Sequence, residues 1–357
     1  MYKLLVINPG STSTKIAVFE DETMIMEKTL RHSSEEISKY ETVAEQKSFR
    51  KEVILESLAE VGINSHDLDA VVGRGGLLHP MEGGTYEVNE KMLEDLRDGV
   101  LGEHASNLGG IIAKEIADSA VVPAFIVDPV VVDEMDPVAK ISGIPEIERI
   151  SIFHALNQKA VARRYARSLG RSYSEVDLVV AHLGGGVSVG AHRRGKVIDV
   201  NNALDGDGPF SPERAGGLPV GQFMKLVLSG KMTDDQLKKR IKGNGGIVAY
   251  LETNDAREVE KMIQEGDERA RSIYQAMAYQ VSKDIGAAVA VLDGEVDGII
   301  LTGGIAYSQM FTDMIKNKVS KFAPVVIYPG EDEMIALAQG AIRVLSKEEE
   351  AKVYVGK

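Results

Sequence analysis

The stretch KLLVINPGSTSTKIAVFEDE, residues 3–22, places a small polar segment between two apolar runs. Asn8, Pro9 and Gly10, followed by four consecutive hydroxyl residues, separate the two runs. Short apolar runs joined by a turn signal predict two strands of a hairpin. Small side chains let the backbone approach a bulky anion, and we expect Gly10 to supply turn dihedrals that other residues resist. The stretch therefore predicts a hairpin loop that can approach a ligand.

The polar groups of this first loop suit a phosphate ligand. Ser11 and Ser13 offer hydroxyl donors of little bulk, Lys15 adds a point charge and Asn8 adds an amide. Consecutive backbone N–H groups in such a turn can form an anion-binding concavity. A segment of this composition is more often only a turn, so the loop by itself leaves both interpretations open.

A second segment, VVAHLGGGVSVGAHRRGKVI at residues 179–198, repeats the pattern of strand, glycine-bearing turn, strand, charged turn and strand. A gapless alignment with the first stretch places Asn8 on His182, Gly10 on Gly184 and Ala17 on Ala191. The match predicts a duplicated fold in which each half presents one glycine loop into a shared cleft. Two unrelated hairpins are the alternative.

A third glycine pair, Gly303-Gly304, follows the buried run at residues 296–301. Such a pair can let a flat ring lie against the backbone, and a tight strand-to-helix turn is the alternative. The dinucleotide pattern fails in the second segment, and the Walker pattern is absent from the whole chain. A bound nucleotide would therefore lie on paired hairpin loops rather than on a helix N-terminus.

The composition of the 357 residues narrows the class of protein. Apolar residues make up 44% and charged residues 27%, as in a typical globular domain. The net charge of −13 argues against a nucleic-acid-binding protein, which would carry a basic face. The absence of cysteine excludes disulfides and thiolate metal sites. With no apolar run of membrane-spanning length and no signal core, we expect a cytoplasmic protein without membrane or nucleic-acid partners.

Strand-like and helix-like runs alternate along the chain, which predicts an α/β fold. The longest helical pattern covers residues 34–61 and ends at Gly62, and another covers residues 266–293. Strands are predicted at 3–8, 15–19, 69–73, 121–127, 177–182, 187–192, 197–200, 297–302 and 324–328.

The three glycine segments, in this order, resemble the first phosphate, second phosphate and adenosine segments of the actin, hexokinase and acetate kinase superfamily. Within it, INPGSTSTK, HLGGGVS and LTGGIA resemble the acyl kinases, and VVGRGGLLHP, GEHASNLGGI, SIFHALNQKAVARRYA and NNALDGDGPFSPERAGGLP resemble the butyrate branch of that family. Pro9 and Gly185 depart from the pattern of the acetate branch, which puts acetate as the preferred substrate in doubt.

The resemblance implies two duplicated ribonuclease H-like domains with an interdomain cleft. It places the first domain at residues 1–127, with the C-terminal segment 338–357 packed on it, and the second at residues 128–337. The implied reaction is the reversible, direct transfer of a phosphoryl group from ATP to butyrate, with Mg²⁺. An isobutyrate kinase is one alternative, and a non-enzymatic nucleotide-dependent binding protein is another. A homo-oligomer is expected by the same resemblance.

The resemblance also implies catalytic roles. Arg74 and Arg214 would meet the carboxylate and the phosphoryl group, Asp128 would orient the transfer and its Mg²⁺, and His154 would stabilise the moving phosphoryl group. A loop arginine or a lone histidine is otherwise more often solvated or structural.

The binding residues that the resemblance implies fall into three sets. For ATP they are Asn8, Gly10, Ser11, Ser13, Lys15, His182, Gly184, Gly186, Asp255, Arg257, Gly303, Gly304 and Ile305. For Mg²⁺ they are Asn8 and Glu333, with the neighbouring Glu331 and Asp332 as alternatives to Glu333. For the fatty acid they are Arg74, His104 and Arg214, and Asn107 has a weaker claim.

Overall fold

The computed structural model describes residues 1–357, and the chain divides into two compact units. Unit 1 comprises residues 1–132 and 332–357, and unit 2 comprises residues 133–331. These limits lie a few residues from the domain limits expected from the sequence. As a result, Asp128 and Glu333 belong to unit 1.

The helices and strands alternate along both units. Residues 1–132 contain β1 (Lys3–Pro9), β2 (Ser13–Glu20), β3 (Thr23–Arg31), α1 (Ser34–Ile37), α2 (Lys47–Ala59), β4 (Ala70–Gly73), β5 (Thr85–Glu87), α3 (Glu90–Asp98), α4 (Asn107–Ala120) and β6 (Ala124–Val127). Unit 2 contains α5 (Pro137–Lys140), α6 (Ala155–Ser168), β7 (Asp177–Leu183), β8 (Val187–Arg193), β9 (Lys196–Val200), α7 (Val220–Leu228), α8 (Asp234–Ile241), α9 (Ile247–Leu251), α10 (Ala256–Gln264), α11 (Glu268–Val291), β10 (Gly298–Gly303), α12 (Gln309–Val319) and β11 (Val325–Pro329). The C-terminal part of unit 1 contains α13 (Glu333–Leu345) and β12 (Lys352–Val353).

Each unit is built on one mixed sheet, and the two sheets share the order of their central strands. In unit 1 the order is β12-β5-β6-β4-β1-β2-β3, and in unit 2 it is β11-β10-β7-β8-β9. In both, a three-stranded antiparallel meander is extended by parallel strands: β1 pairs with β4, and β7 pairs with β10. The α/β class and the duplication predicted from the sequence are confirmed.

The duplication carries a one-residue difference that the gapless alignment misses. In unit 1 Val6 pairs with Ala17, whereas in unit 2 the equivalent Val180 pairs with Gly190. The match of Ala17 with Ala191 is therefore wrong by one residue. The second hairpin loop is one residue shorter than the first. The gapless alignment is therefore correct for β1 and β7 but is shifted by one residue for β2 and β8.

The long helix predicted at residues 34–61 is also wrong, because the segment forms two separate helices, α1 and α2. Residues 33–45 include no buried side chain, so a helix through this segment would have no core to pack on. The predicted end is confirmed, since Gly62 has φ = 74° and donates its N–H to Ala59 O at 3.0 Å. The helix predicted at residues 266–293 is observed as α11.

The core of each unit lies between its sheet and its helices. In unit 1 the buried runs of β1, β2 and β4 pack against α4, and in unit 2 the sheet packs against α11 through Tyr274, Val281 and Ile285. Strands β1 and β7 are covered on both faces, so nearly every residue in them is apolar. The polar residues at their carboxyl ends begin the two glycine loops.

Candidate functional site

The first loop connects β1 to β2 and is closed by the N–H of Gly10, which donates to Ser13 O at 2.7 Å. The special turn conformation expected of Gly10 is wrong, because its φ is outside the left-handed region. A Cβ at this position would lie 3.5 Å from Ser13 O, an ordinary contact. Ser11 is exposed and Ser13 is half-buried. Their proposed contacts with phosphate remain a prediction.

A buried arginine that the sequence analysis missed holds this loop from beneath. Arg50 of α2 is 1% exposed, and its guanidinium donates to the carbonyl oxygens of Gly10, Ser11 and Ser13 at 2.8, 3.1 and 3.1 Å. Gln46 Oε1 accepts two further bonds from it. Burial lowers the pKa of Arg50. The sequence carries only a weak signal for this role. Gln46 and Arg50 are four residues apart, and at helical spacing they lie on the same face of α2 as its buried apolar residues.

Two further polar residues complete the support of the first loop. The Thr14 hydroxyl accepts from Arg50 Nη1 at 3.1 Å and lies 2.8 Å from His32 Nε2. Burial, and then the positive charge of Arg50, lower the pKa of His32, whereas Glu36 raises it. The lowered pKa favours the neutral form of His32, whose Nε2 shares a hydrogen bond with the Thr14 hydroxyl.

Glu333, at the start of α13, connects two of the predicted site residues in unit 1. Its Oε1 forms an ion pair with Arg74 Nη1, and its Oε2 accepts from Asn8 Nδ2 at 2.8 Å. Lys15 is oriented differently, since its Nζ lies 3.0 Å from Glu27 Oε2 on β3. Asn8, Arg74 and Glu333 thus form one polar cluster, and Lys15 is engaged with the neighbouring strand.

Arg74 follows β4 in a loop whose glycines pack closely on α4. A Cβ at Gly73 would collide with the backbone of Gly109, and a Cβ at Gly76 would lie 2.6 Å from Asn107 Cα. Asn107 is 3% exposed and its Oδ1 accepts from Leu77 N at 2.8 Å. Asn107 therefore fixes the loop that carries Arg74 and is not itself exposed to a ligand.

His104 and Asp128 lie at two other points of unit 1. His104 is exposed, and its Nδ1 accepts from the backbone N–H of Ser106 at 3.2 Å. Asp128 follows β6, is 1% exposed and has φ = 39°. Its Oδ1 accepts from Gly84 N at 2.7 Å. A left-handed conformation at a non-glycine residue is uncommon and is often found at functional sites.

In unit 2 the second loop, Gly184–Gly186, connects β7 to β8 and packs against Arg214. A Cβ at Gly186 would collide with the Arg214 guanidinium, so only glycine leaves room for it. Arg214 Nη1 donates to Ala203 O at 2.6 Å, and its backbone N–H donates to Ser211 Oγ at 3.2 Å. Burial lowers the pKa of Arg214, and Glu213 opposes that shift.

His154 and His182 are stacked in unit 2, with ring centroids 3.7 Å apart. Asn157 Oδ1 lies 2.7 Å from His182 Nδ1, and the amide nitrogen of Asn157 faces the carbonyl oxygen of Glu331 at 3.1 Å. The carbonyl fixes the amide orientation, so His182 carries its proton on Nδ1. His182 Nε2 is buried without a hydrogen bond, and Glu331 Oε1 lies 3.4 Å from it. An anion at this atom would require a protonated ring.

A cavity of about 710 Å³ in unit 2 is lined by five of the thirteen predicted nucleotide residues. Its lining includes Gly184, Asp255, Arg257, Gly304 and Ile305. Other lining residues were not predicted from the sequence, among them Glu213, Asn254, Glu260 and Tyr307. The volume lies within the usual range for small-molecule sites.

Asp255 and Arg257 form an ion pair at the edge of this cavity. Hydrogen bonds from the Arg257 side chain and backbone lower the pKa of Asp255 to about 2. Asp255 Oδ1 accepts from Arg257 N at 2.9 Å, and so also caps α10. The Arg257 side chain is 91% exposed, which leaves its planar face accessible to a ring.

Gly303 and Gly304 differ sharply although they are adjacent. Gly303 has φ = 89°, and a Cβ there would lie 2.7 Å from Leu183 N. A Cβ at Gly304 would have no neighbour within 4 Å, so this position faces open space. Gly303 therefore brings β10 close to β7, and Gly304 leaves the backbone open beside the cavity.

The predicted site residues are divided between the units. Unit 1 holds Asn8, Gly10, Ser11, Ser13, Lys15, Arg74, His104, Asp128 and Glu333, and unit 2 holds His154, His182, Gly184, Gly186, Arg214, Asp255, Arg257, Gly303, Gly304 and Ile305. No helix is both long and apolar enough to cross a bilayer. No group of three or more histidine and acidic side chains is arranged as a metal site.

Comparison with known proteins gives consistent matches. Residues 146–355 match the acetokinase family. Over 353 residues the chain is 63% identical to butyrate kinase 2 of Clostridium acetobutylicum, covering 99% of each chain. The acetate kinase of Porphyromonas gingivalis matches 97% of this chain and 100% of its own with a TM-score of 0.80 and 19% identity. A propionate kinase of Francisella tularensis matches 95% and 99%, with a TM-score of 0.74 and 18% identity.

Proposed function

This chain belongs to the acetokinase family, and we propose that it catalyses the reversible phosphorylation of butyrate by ATP, giving butyryl phosphate and ADP. The observation that carries the choice of acid is the 63% identity, over nearly the full length, to a butyrate kinase. Pro9 and Gly185, which depart from the acetate pattern, support the same choice.

The reaction needs charge stabilisation more than a base. A fatty-acid carboxylate is already ionised at pH 7, so the difficulty is to bring one anion to another. Arg74 and Arg214 supply cations whose planar guanidinium groups can meet carboxylate and phosphoryl oxygens. Glu333 orients Arg74, and the carbonyl of Ala203 orients Arg214. We infer that both arginines neutralise the charge that accumulates during transfer.

The nucleotide would occupy the cavity of unit 2. Gly304 leaves room for the adenine against the backbone, and the exposed Arg257 can cover the ring. Gly184 and His182 would face the phosphates. His154 would donate to the moving phosphoryl group, and Asp128 would orient the transfer.

Glu333 fits a role in magnesium binding. Glu333 Oε2 accepts a hydrogen bond from Asn8, and Oε1 forms an ion pair with Arg74. Each carboxylate oxygen retains a second lone pair. Mg²⁺ at phosphoryl-transfer sites is usually bound by one or two carboxylates together with substrate phosphates. When bound, it supplies positive charge at the phosphate oxygens. Asn8 could add its Oδ1, because its amide nitrogen is turned toward Glu333.

Assembly into a homo-oligomer remains a prediction from the family, and a cytoplasmic location remains a prediction from the sequence. Sedimentation velocity of the purified full chain would test the first. A single species of monomer mass at micromolar concentration would contradict it.

The function is tested by trapping the product. The chain is incubated with ATP, Mg²⁺ and one acid at a time, from two to six carbons, straight and branched, and hydroxylamine captures any acyl phosphate. Each buried methylene is worth about 0.8 kcal/mol, so butyrate should exceed acetate about tenfold or more in kcat/KM. A preference for acetate would contradict the proposal, and a preference for isobutyrate would replace butyrate with the branched acid. ATP binding without any acyl phosphate would indicate a binding protein instead.

A further inference from the structure

A chain of four hydrogen bonds leads through the interior of unit 2 to His154. Tyr173 Oη lies 2.7 Å from His192 Nδ1, and His192 Nε2 lies 2.9 Å from Gln158 Oε1. Gln158 Nε2 lies 2.8 Å from Ser188 Oγ, and Ser188 Oγ lies 2.9 Å from His154 Nδ1. Gln158, Ser188 and His192 are fully buried. We call this set of five residues the histidine relay.

The direction of the bonds in the relay is fixed at Gln158. Its Nε2 also lies 3.1 Å from the backbone oxygen of Ser188, and a carbonyl oxygen can only accept. The amide nitrogen must therefore face Ser188, so the amide oxygen faces His192. It follows that His192 donates from Nε2 and accepts from Tyr173 at Nδ1.

The contacts of the Ser188 hydroxyl assign the proton of His154. Ser188 is fully buried, and its Oγ has two partners, Gln158 Nε2 and His154 Nδ1. The Gln158 amide nitrogen can only donate, so the Ser188 proton finds an acceptor only at His154 Nδ1, and a buried hydroxyl that did not donate would lose a hydrogen bond. A ring nitrogen that accepts a hydrogen bond carries no proton, and a neutral imidazole has only one N–H. Neutral His154 therefore holds its proton on Nε2.

We propose that the histidine relay fixes the tautomer of His154, so that its Nε2–H is preset as the donor to the phosphoryl group. The part of this inference that concerns the phosphoryl group rests on the proposed function. A donor that is oriented in advance needs no reorganisation when charge develops, which is the basis of electrostatic catalysis. Gln158, Ser188, His192 and Tyr173 act through His154 and are positioning residues.

Gln158→Glu tests the relay because it reverses one bond with little change of shape. A carboxylate still accepts from His192, but it would also accept the Ser188 proton. Ser188 Oγ would then accept from His154, and the His154 proton would move from Nε2 to Nδ1. Ser188→Ala is the second variant, because it removes only the donor and leaves both tautomers open to His154.

The primary readout is the tautomer of His154 in the unliganded full chain. Long-range ¹H–¹⁵N NMR of ¹⁵N-histidine-labelled protein distinguishes the two forms, and His154→Gln assigns the signal. We expect Nε2–H in the parent, Nδ1–H in Gln158→Glu and a mixture in Ser188→Ala. In Gln158→Glu, kcat should fall about a hundredfold, with KM for ATP and butyrate unchanged, as when one transition-state donor is lost.

Ser282→Ala is the matched control, because Ser282 is a buried serine of α11 that donates to Ala278 O. It should keep both the parent spectrum and the parent kcat. An Nδ1–H signal in the parent would overturn the proposal, and so would a parent-like tautomer in Ser188→Ala. The spectrum needs no substrate, so a correct tautomer in a protein that does not phosphorylate butyrate would refute the proposed function and not the relay.

Discussion

The two hairpin loops occupy the same place in duplicated sheets, yet different interactions stabilise them. In the first loop Gly10 would tolerate a Cβ, and Arg50 holds the loop through three carbonyl oxygens. In the second loop Gly186 has no room for a Cβ, because the Arg214 guanidinium lies against it. Side chains support both loops, since Ser211 Oγ donates to Gly185 O at 2.6 Å in the second, but only the second loop has a glycine with no room for a Cβ. Although the two loops share a sequence pattern, we expect their glycines to differ in sensitivity to mutation.

The largest effect is expected where backbone meets backbone, at Gly303. Gly303→Ala would strain a left-handed residue and press its Cβ against Leu183, so the free energy of unfolding should fall by about 1–3 kcal/mol or more. The adjacent Gly304→Ala has open space and should stay within about 0.5 kcal/mol of the parent. Urea unfolding followed by circular dichroism compares them. Equal midpoints for the two variants would remove the distinction between these glycines.

Gly186→Ala should damage catalysis more than folding. The atom that its Cβ meets is the end of a flexible side chain, so Arg214 would move aside and the loop would persist. We expect kcat to fall by about a hundredfold, as for loss of one transition-state donor, with the urea midpoint nearly unchanged. Gly286→Ala in α11 is the control, since a Cβ there has no neighbour within 4 Å and the residue lies outside the cavity lining. A parent-like kcat for Gly186→Ala would show that the position of Arg214 does not matter.

Arg50→Met should loosen the first loop. It would leave part-buried carbonyls, and the buried Gln46 and Thr14 oxygens, without their donor, which costs about 1–3 kcal/mol, and it should raise KM for ATP more than KM for butyrate. Arg50→Lys restores a cation without the planar fork and should recover the stability only in part. Urea unfolding and steady-state kinetics of the parent, Arg50→Met and Arg50→Lys proteins test this prediction. If both KM values stay at the parent level in Arg50→Met, the first loop does not depend on Arg50.

Gly10→Ala is expected to have the smallest effect. The φ of Gly10 is compatible with alanine and the added Cβ finds only ordinary contacts, so stability should change by less than about 1 kcal/mol. Urea unfolding of Gly10→Ala and Gly303→Ala under the same conditions measures the two changes in stability. A loss as large as that of Gly303→Ala would contradict the ordinary contacts expected for a Cβ at Gly10.

The sequence predicted the glycine loops because their signal is local. Turn residues between apolar runs identify both hairpins, and the buried run before Gly303 identifies β10. The roles of Arg50, Gln158 and Ser188 could not be predicted in this way, because their partners lie far along the chain. The helix predicted at 34–61 failed because periodicity cannot show whether a core lies beneath it.

In the proposed reaction the butyrate oxygen becomes bonded to the γ-phosphorus of ATP and not to the α-phosphorus. Butyrate labelled with ¹⁸O in both carboxyl oxygens is incubated with the chain, unlabelled ATP and Mg²⁺, and the products are analysed by mass spectrometry and ³¹P NMR. We expect ADP without label, and butyryl phosphate with ¹⁸O in the bridge between carbon and phosphorus. Release of AMP carrying ¹⁸O would instead indicate attack at the α-phosphorus, and would contradict direct phosphoryl transfer to the carboxylate.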